Sequence, residues 1–232
     1  MLNIGQTSFN IRVPSLPRDE FELYSTNLFD VWEREIAGAI SFDDYAISLE
    51  IEEGSITGRG KIAIVAGALY FGIGNYGGFI GGLETIYDQV IYVGERLFQE
   101  AKAPVGGNSA YASKRTNAGA ISSMRRLFER VQNRSMTVDE AMSEFETLLG
   151  EELDENSEFV QEMRRQLESA PAYPEQLSFT DDDWADLDAP ESPVKVPGRP
   201  KRNPSPPPEH FRIEIWRESR NDQKHVRFTR VK

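Results

Sequence analysis

The chain has 232 residues, a formal net charge of −12 and no cysteine, which excludes disulfides, thiolate zinc sites and cysteine nucleophiles. Its two histidines, His210 and His225, leave little from which to build a histidine-rich metal centre or a Ser-His-Asp triad. Charge falls in blocks, acidic over 1–60 and 137–190 and basic over 61–136 and 191–232, so the blocks can attract one another or an outside partner of opposite sign.

Residues 1–60 predict a small α+β domain, a strand and helix layer. SFNIRV reads as a short strand. Pro17 stands at a helix start, with Asp19 and Glu20 in the first turn. Phe21, Tyr24, Leu28, Trp32 and Ile36 recur every three or four residues, as one face of a helix requires. The β-branched and aromatic content keeps a strand as the alternative. In YAISLEIEEGSITGRGK, Tyr45, Ile47, Leu49 and Ile51 alternate with Ala46, Ser48, Glu50 and Glu52, the pattern of a strand with one buried face. Gly54 supplies a turn and SITGRG a return strand, which its glycines weaken.

Residues 61–101 form a glycine-rich apolar segment, a helix or helical hairpin and a candidate membrane segment. From Ile62 to Leu83 there is no formal charge, and seven residues are glycine. As a nucleotide loop, GIGNYG fits G-x-G-x-x-G through Gly72, Gly74 and Gly77, but the acidic strand end expected about twenty positions later is missing. Tyr111 and Lys114 are likewise one residue too close for the Tyr/Lys pair of short-chain dehydrogenases. As a helix, Gly74, Gly78 and Gly82 make one row and Gly77 with Gly81 a second, clearing a face for close backbone approach. The run would span about 33 Å as helix, enough for a hydrocarbon core of about 30 Å. Asn75 opposes insertion and leaves a marginal span. The alternative is a helical hairpin bent near GNYGG and buried against the N-terminal sheet.

Residues 102–170 predict a helical region that continues the helix LETIYDQVIYVGERLFQEA. SKRTNAGAISSMRRLFERVQNR reads as an amphipathic helix with Ile121, Met124, Leu127, Phe128 and Val131 inward. Lys114, Arg115, Arg125, Arg126, Arg130 and Arg134 form a cationic cluster, either a patch for an anionic partner such as lipid headgroups or an ordinary solvated face. Thr137 with Glu140 is a capping box, and Gly150 ends that helix. SEFVQEMRRQLESA is a further helix with Phe159, Met163 and Leu167 inside.

Residues 171–208 hold ten of the thirteen prolines and predict a disordered acidic and Pro-rich linker. Within it, Leu177, Phe179, Trp184 and Leu187 alternate with aspartates, a peptide-docking pattern suited to a basic, apolar-lined groove; a solubilising linker is the alternative. Residues 209–232 read as a basic β-hairpin that needs a partner surface. Its Phe211, Trp216 and Phe228 raise base stacking as an option, but pairing of the tail with the acidic block is the favoured expectation and nucleic acid is not.

The layout over residues 40–150 resembles that of uncharacterised bacterial proteins of membrane or conflict systems, without a diagnostic motif and with no site carried across. The expectation is a non-enzymatic, membrane-associating and self-associating protein that uses the glycine row, with its tail recruiting partners. It is cytoplasmic or at the inner membrane face and not secreted. The alternative is an adaptor with the glycine-rich helix in its core, and a small nucleotide-binding enzyme stands third. No catalytic, cofactor-binding or metal-ligating residue and no cofactor is assigned.

Overall fold

The computed structural model describes residues 1–13, 15–76, 78–105, 112–171 and 210–231. The chain is an α+β protein with one six-stranded sheet. Strand β1 (Leu2–Ile11) is longer than SFNIRV implies, because Leu2, Ile4, Thr7, Phe9 and Ile11 are all buried along it. It leads to α1 (Arg18–Ala39), whose apolar stripe from Phe21 to Ile36 is buried as its spacing predicts. Strands β2 (Ala46–Glu52) and β3 (Ile56–Ile64) follow as a hairpin. Gly54 takes φ 104° in the turn, a conformation that favours glycine.

Strand β3 runs past Lys61 to Ile64, so the glycine-rich segment begins as sheet. The glycines at 58 and 60 do not weaken this strand for want of packing. A Cβ at Gly58 would lie 2.0 Å from the Phe9 ring, and one at Gly60 would lie 2.5 Å from Leu97. Both leave room for large side chains of the core.

The uncharged run then divides into α2 (Ala66–Gly74) and α3 (Phe79–Lys102), bent at the expected GNYGG. Glu152 Oε2 accepts a 2.6 Å hydrogen bond from the Ala66 N–H and so serves the otherwise uncapped start of α2. Nine helical residues rise about 14 Å, half of a bilayer core. Among the described residues no helix is long and apolar enough to cross a membrane. The run 62–83 is therefore not one spanning helix, which corrects that expectation.

A second correction concerns residues 112–117. They form strand β4 (Ala112–Asn117), and helix α4 starts only at Gly119 (Gly119–Gln132). The segment carries little apolar alternation and is held as a strand by pairing with β1. Helices α5 (Val138–Leu149) and α6 (Ser157–Ser169) follow, the first with the Thr137–Glu140 capping box in place. Strands β5 (His210–Arg217) and β6 (His225–Val231) form the C-terminal hairpin.

The sheet order is β4-β1-β3-β2-β5-β6, antiparallel throughout. The hairpin finds the partner surface it needs on the outer edge of β2. Helices α1 and α3 cover one face of the sheet and are tied together by hydrogen bonds from Trp32 Nε1 to the Val93 carbonyl (3.1 Å) and from Tyr24 OH to the Ala101 carbonyl (2.8 Å). Phe159 of α6 stacks on Tyr70 of α2 at 5.3 Å and meets Phe145 of α5 edge-on at 5.1 Å. One continuous hydrophobic cluster, from Leu2 to Ile215, joins helices and sheet.

Candidate functional site

Side chains alternate across a strand, so each strand here sends one set under the helices and the other set to the opposite face. Every described residue of β1, β3 and β2 that points under the helices is buried. On the opposite face Gln6, Ser8, Asn10, Ser48, Glu50 and Glu52 are half-buried, and Thr57, Arg59 and Lys61 are exposed. The sheet thus offers one polar face that no described element covers.

Register organises that face. Ser8 on β1 lies opposite Arg59 on β3 and Arg115 on β4; Gln6 lies opposite Lys61 and Asn117. With strands about 4.8 Å apart, Arg59 and Arg115 start about 10 Å from one another, with Ser8 between them. Arg59, Lys61 and Arg115 are exposed and make no hydrogen bond or ion pair among the described residues. Among the described residues the Ser8 hydroxyl and the Gln6 amide likewise make no side-chain hydrogen bond. Among the described residues, three cations without ion pairs thus gather around Ser8 and Gln6, with Glu50 of β2 opposite Arg59 at the border of the group.

The other half of the face is electrically closed. Arg212 on β5 pairs with Glu50 and Glu52 of β2, at 3.4 and 3.2 Å, and Arg227 on β6 pairs with Glu214 at 3.4 Å. Trp216 is stacked against His225 at 5.3 Å, with the Arg227 guanidinium 5.4 Å from its ring. On the helix side Arg217 Nε lies 2.6 Å from Glu33, and Lys224 Nζ 2.5 Å from Asp30. Asp44 accepts from the Ser219 hydroxyl and the Arg220 N–H, each at 2.8 Å, and from the Tyr45 N–H at 2.9 Å. Burial pushes its carboxyl up, but these hydrogen bonds from Arg220, Ser219 and Tyr45 outweigh it and hold the pKa below the usual value. The basic tail therefore pairs with the acidic N-terminal block, within the chain.

The cationic cluster read along the sequence is divided. Lys114 points under the helices to Glu95 and the Phe98 ring, while its neighbour Arg115 faces the open side. Arg125 lies over Tyr87 at 4.1 Å. Arg126 and Arg130 line a groove between α4 and α5, where Glu144 binds Arg130 at 3.0 Å. Arg134 sits at the turn after α4 with φ 56°.

The glycine row is divided as well. Gly74 ends α2, Gly78 precedes α3, and Gly81 and Gly82 lie in its first turn, so Gly74, Gly78 and Gly82 do not share one helix face. A Cβ at Gly74, Gly78 or Gly81 would meet nothing within 4 Å, whereas one at Gly82 would lie 2.3 Å from the Ile73 carbonyl oxygen. Gly72, absent from the row, fits against Phe42, whose ring would be 2.2 Å from an added Cβ. Because Gly72 and Gly74 end a helix, they do not form the strand-to-helix turn that a dinucleotide fingerprint requires. Gly77, Tyr111, the linker 171–208 beyond its first residue, and Leu177, Phe179, Trp184 and Leu187 within it lie outside the described residues.

Sequence reasoning missed Arg59, Lys61, Ser8 and Gln6. The signal was present as the polar alternation TGRGK opposite a strand reading QTSFN, but only the register brings the two together. Comparison with known proteins finds no matching family model, no matching curated protein and no matching solved structure.

Proposed function

We propose that this chain is a non-enzymatic interaction protein whose open sheet face binds an acidic, extended segment of a partner protein. The observation that carries this reading is the set of cations Arg59, Lys61 and Arg115 around Ser8, which have no ion pair among the described residues, in a molecule that pairs most hairpin cations internally. An extended peptide along the strands suits a patch about 10 Å wide, bounded on one side by Glu50. Nucleic acid is disfavoured by the aromatic residues: Phe211 packs on Phe228 at 5.1 Å on the helix side, and Trp216 is already stacked on His225 with Arg227 beside its ring. Bilayer insertion draws no support from a run divided between a strand and two helices.

The test is fluorescence anisotropy with a short labelled peptide alternating Glu and Leu, at low and high salt, beside a single-stranded oligonucleotide of equal charge. The peptide should bind, weaken as salt rises, and lose at least about tenfold in affinity with Arg59→Glu and Arg115→Glu combined, since screening and charge reversal act on the same contacts. Unchanged binding by that variant, or tighter binding of the oligonucleotide, overturns the reading.

A second reading, contact between copies through α2, is favoured by Phe71, which is 70% exposed there, with Val65 43% exposed at the helix start. Phe71→Glu should then remove concentration-dependent association seen by light scattering.

A further inference from the structure

The C-terminal hairpin is a separable piece of the sheet. Among the described residues, its strands β5 and β6 contribute only Ile213 and Ile215 as buried core residues, with Phe211 and Phe228 half-buried beside them. Its place in the fold is defined by β2 and α1, which lie far away in sequence. Ile51 pairs with Ile213 and Glu33 with Arg217. Without the hairpin, β2 would be an edge strand with its outer backbone groups unpaired, a template for another strand.

The acceptor and the hairpin are complementary in charge as well as in backbone. The acceptor offers Asp30, Glu33, Asp44, Glu50 and Glu52; the hairpin brings Lys224, Arg217, the Ser219–Arg220 turn and Arg212. None of these contacts depends on which copy of the chain supplies the hairpin. The covalent path from the end of α6 to the start of β5 runs through residues 170–209. About 40 residues can reach at most about 130 Å, several times the interstrand distances involved.

We infer that the hairpin, residues 210–231, exchanges between two copies of this chain, so that β2 and α1 of one copy take up the hairpin of the other. The exchanged dimer makes the same ladder and the same ion pairs as the single copy and needs no new interface, which is why exchange of an identical element is a low-cost route to a dimer. The hairpin of the same copy competes for the same acceptor within one molecule, whereas exchange needs a second copy, so the exchanged form grows with protein concentration.

The chain's lack of cysteine makes a direct test available. Glu50 and Glu214 are directly opposed on β2 and β5 and face the open side, 37% and 35% exposed at the side chain. Opposed antiparallel residues have Cα atoms within disulfide range. A full-length E50C chain and a full-length E214C chain are mixed at high concentration, incubated and oxidised. The expected result is a covalent dimer that appears in the mixture at least about fivefold above either chain alone and increases with protein concentration. A chain carrying both substitutions should close within itself at low concentration. If that double variant closes but the mixture yields no more dimer than the separate chains, exchange does not occur. If the double variant fails to close, the β2–β5 pairing itself is wrong and the inference falls with it.

Discussion

A Cβ at Gly82 would stand 2.3 Å from the carbonyl oxygen of Ile73, where the two arms of the glycine-rich hairpin touch. The obstacle is backbone, so it cannot turn aside. Gly82→Ala should therefore cost about 1–3 kcal/mol through overpacking, read as a lower midpoint in denaturant. Gly81→Ala, one position away in the same helix and facing open space, should gain about 0.5–1 kcal/mol from helix propensity. Equal responses at the two positions would refute the close approach of α2 to α3.

Tyr24 links α1 to the end of α3 through its bond to the Ala101 carbonyl, and burial pushes its phenol well above the ordinary value. A raised folded pKa stabilises the protein below the unfolded value near 10, and that stability is lost as pH climbs from there toward the folded value. Thermal melting should therefore fall steeply above about pH 10. Tyr24→Phe should lose about 1–2 kcal/mol at neutral pH, from the missing hydrogen bond, and show a shallower alkaline decline. Tyr45, also pushed up by burial, keeps part of the slope. An identical alkaline slope in the variant would count against Tyr24 as its source.

Much of the fold is legible wherever a local period meets a continuous core. The stripe from Phe21 to Ile36, the alternation from Tyr45 to Ile51 and the capping box at Thr137 each carry their own evidence. Strand β4 does not, because ASKRTN has no apolar period and owes its conformation to β1. The glycines mislead for a related reason. Spacing alone marks Gly74, Gly78 and Gly82 as a set, yet the close contacts are at Gly72 and Gly82 and depend on Phe42 and Ile73. The cationic site is less legible still. Arg59 and Arg115 lie far apart in the chain and meet only because β1 runs between their strands.

Asp44 anchors the turn of the C-terminal hairpin, and its pKa is depressed by the bonds from Arg220, Ser219 and Tyr45 despite the opposing effect of burial. A depressed folded pKa gives stability that is present above the unfolded value near 3.9 and is lost as pH falls through the folded value. Below about pH 4 the hairpin should therefore loosen before the helical region. Hydrogen exchange, corrected for intrinsic rates, should show residues 210–217 losing protection first. Asp44→Ala should produce the same selective loss at neutral pH and raise the yield of the exchanged dimer. Uniform loss across α5 and β5 would mean that Asp44 does not control the hairpin.

Two arginines on neighbouring parts of the sheet should respond in opposite ways to the same substitution. Arg217 is 23% exposed, as is its partner Glu33, and their contact at 2.6 Å joins β5 to α1. Arg217→Gln leaves a half-buried carboxylate without its cation and should cost about 1–2 kcal/mol. Arg59 has no ion pair among the described residues and lies close to Lys61 and Arg115 in a cluster of like charge. Arg59 also lies opposite Glu50 on β2, so Arg59→Gln trades repulsion from Lys61 and Arg115 against attraction to Glu50. It breaks no hydrogen bond or ion pair among the described residues, and stability should stay within about 0.5 kcal/mol. Its cost should instead appear in binding of the acidic peptide. Such a split, with stability carried by Arg217 and binding by Arg59, is the behaviour of a surface whose charges are kept for a partner. Destabilisation by Arg59→Gln equal to that of Arg217→Gln would show that Arg59 serves the fold.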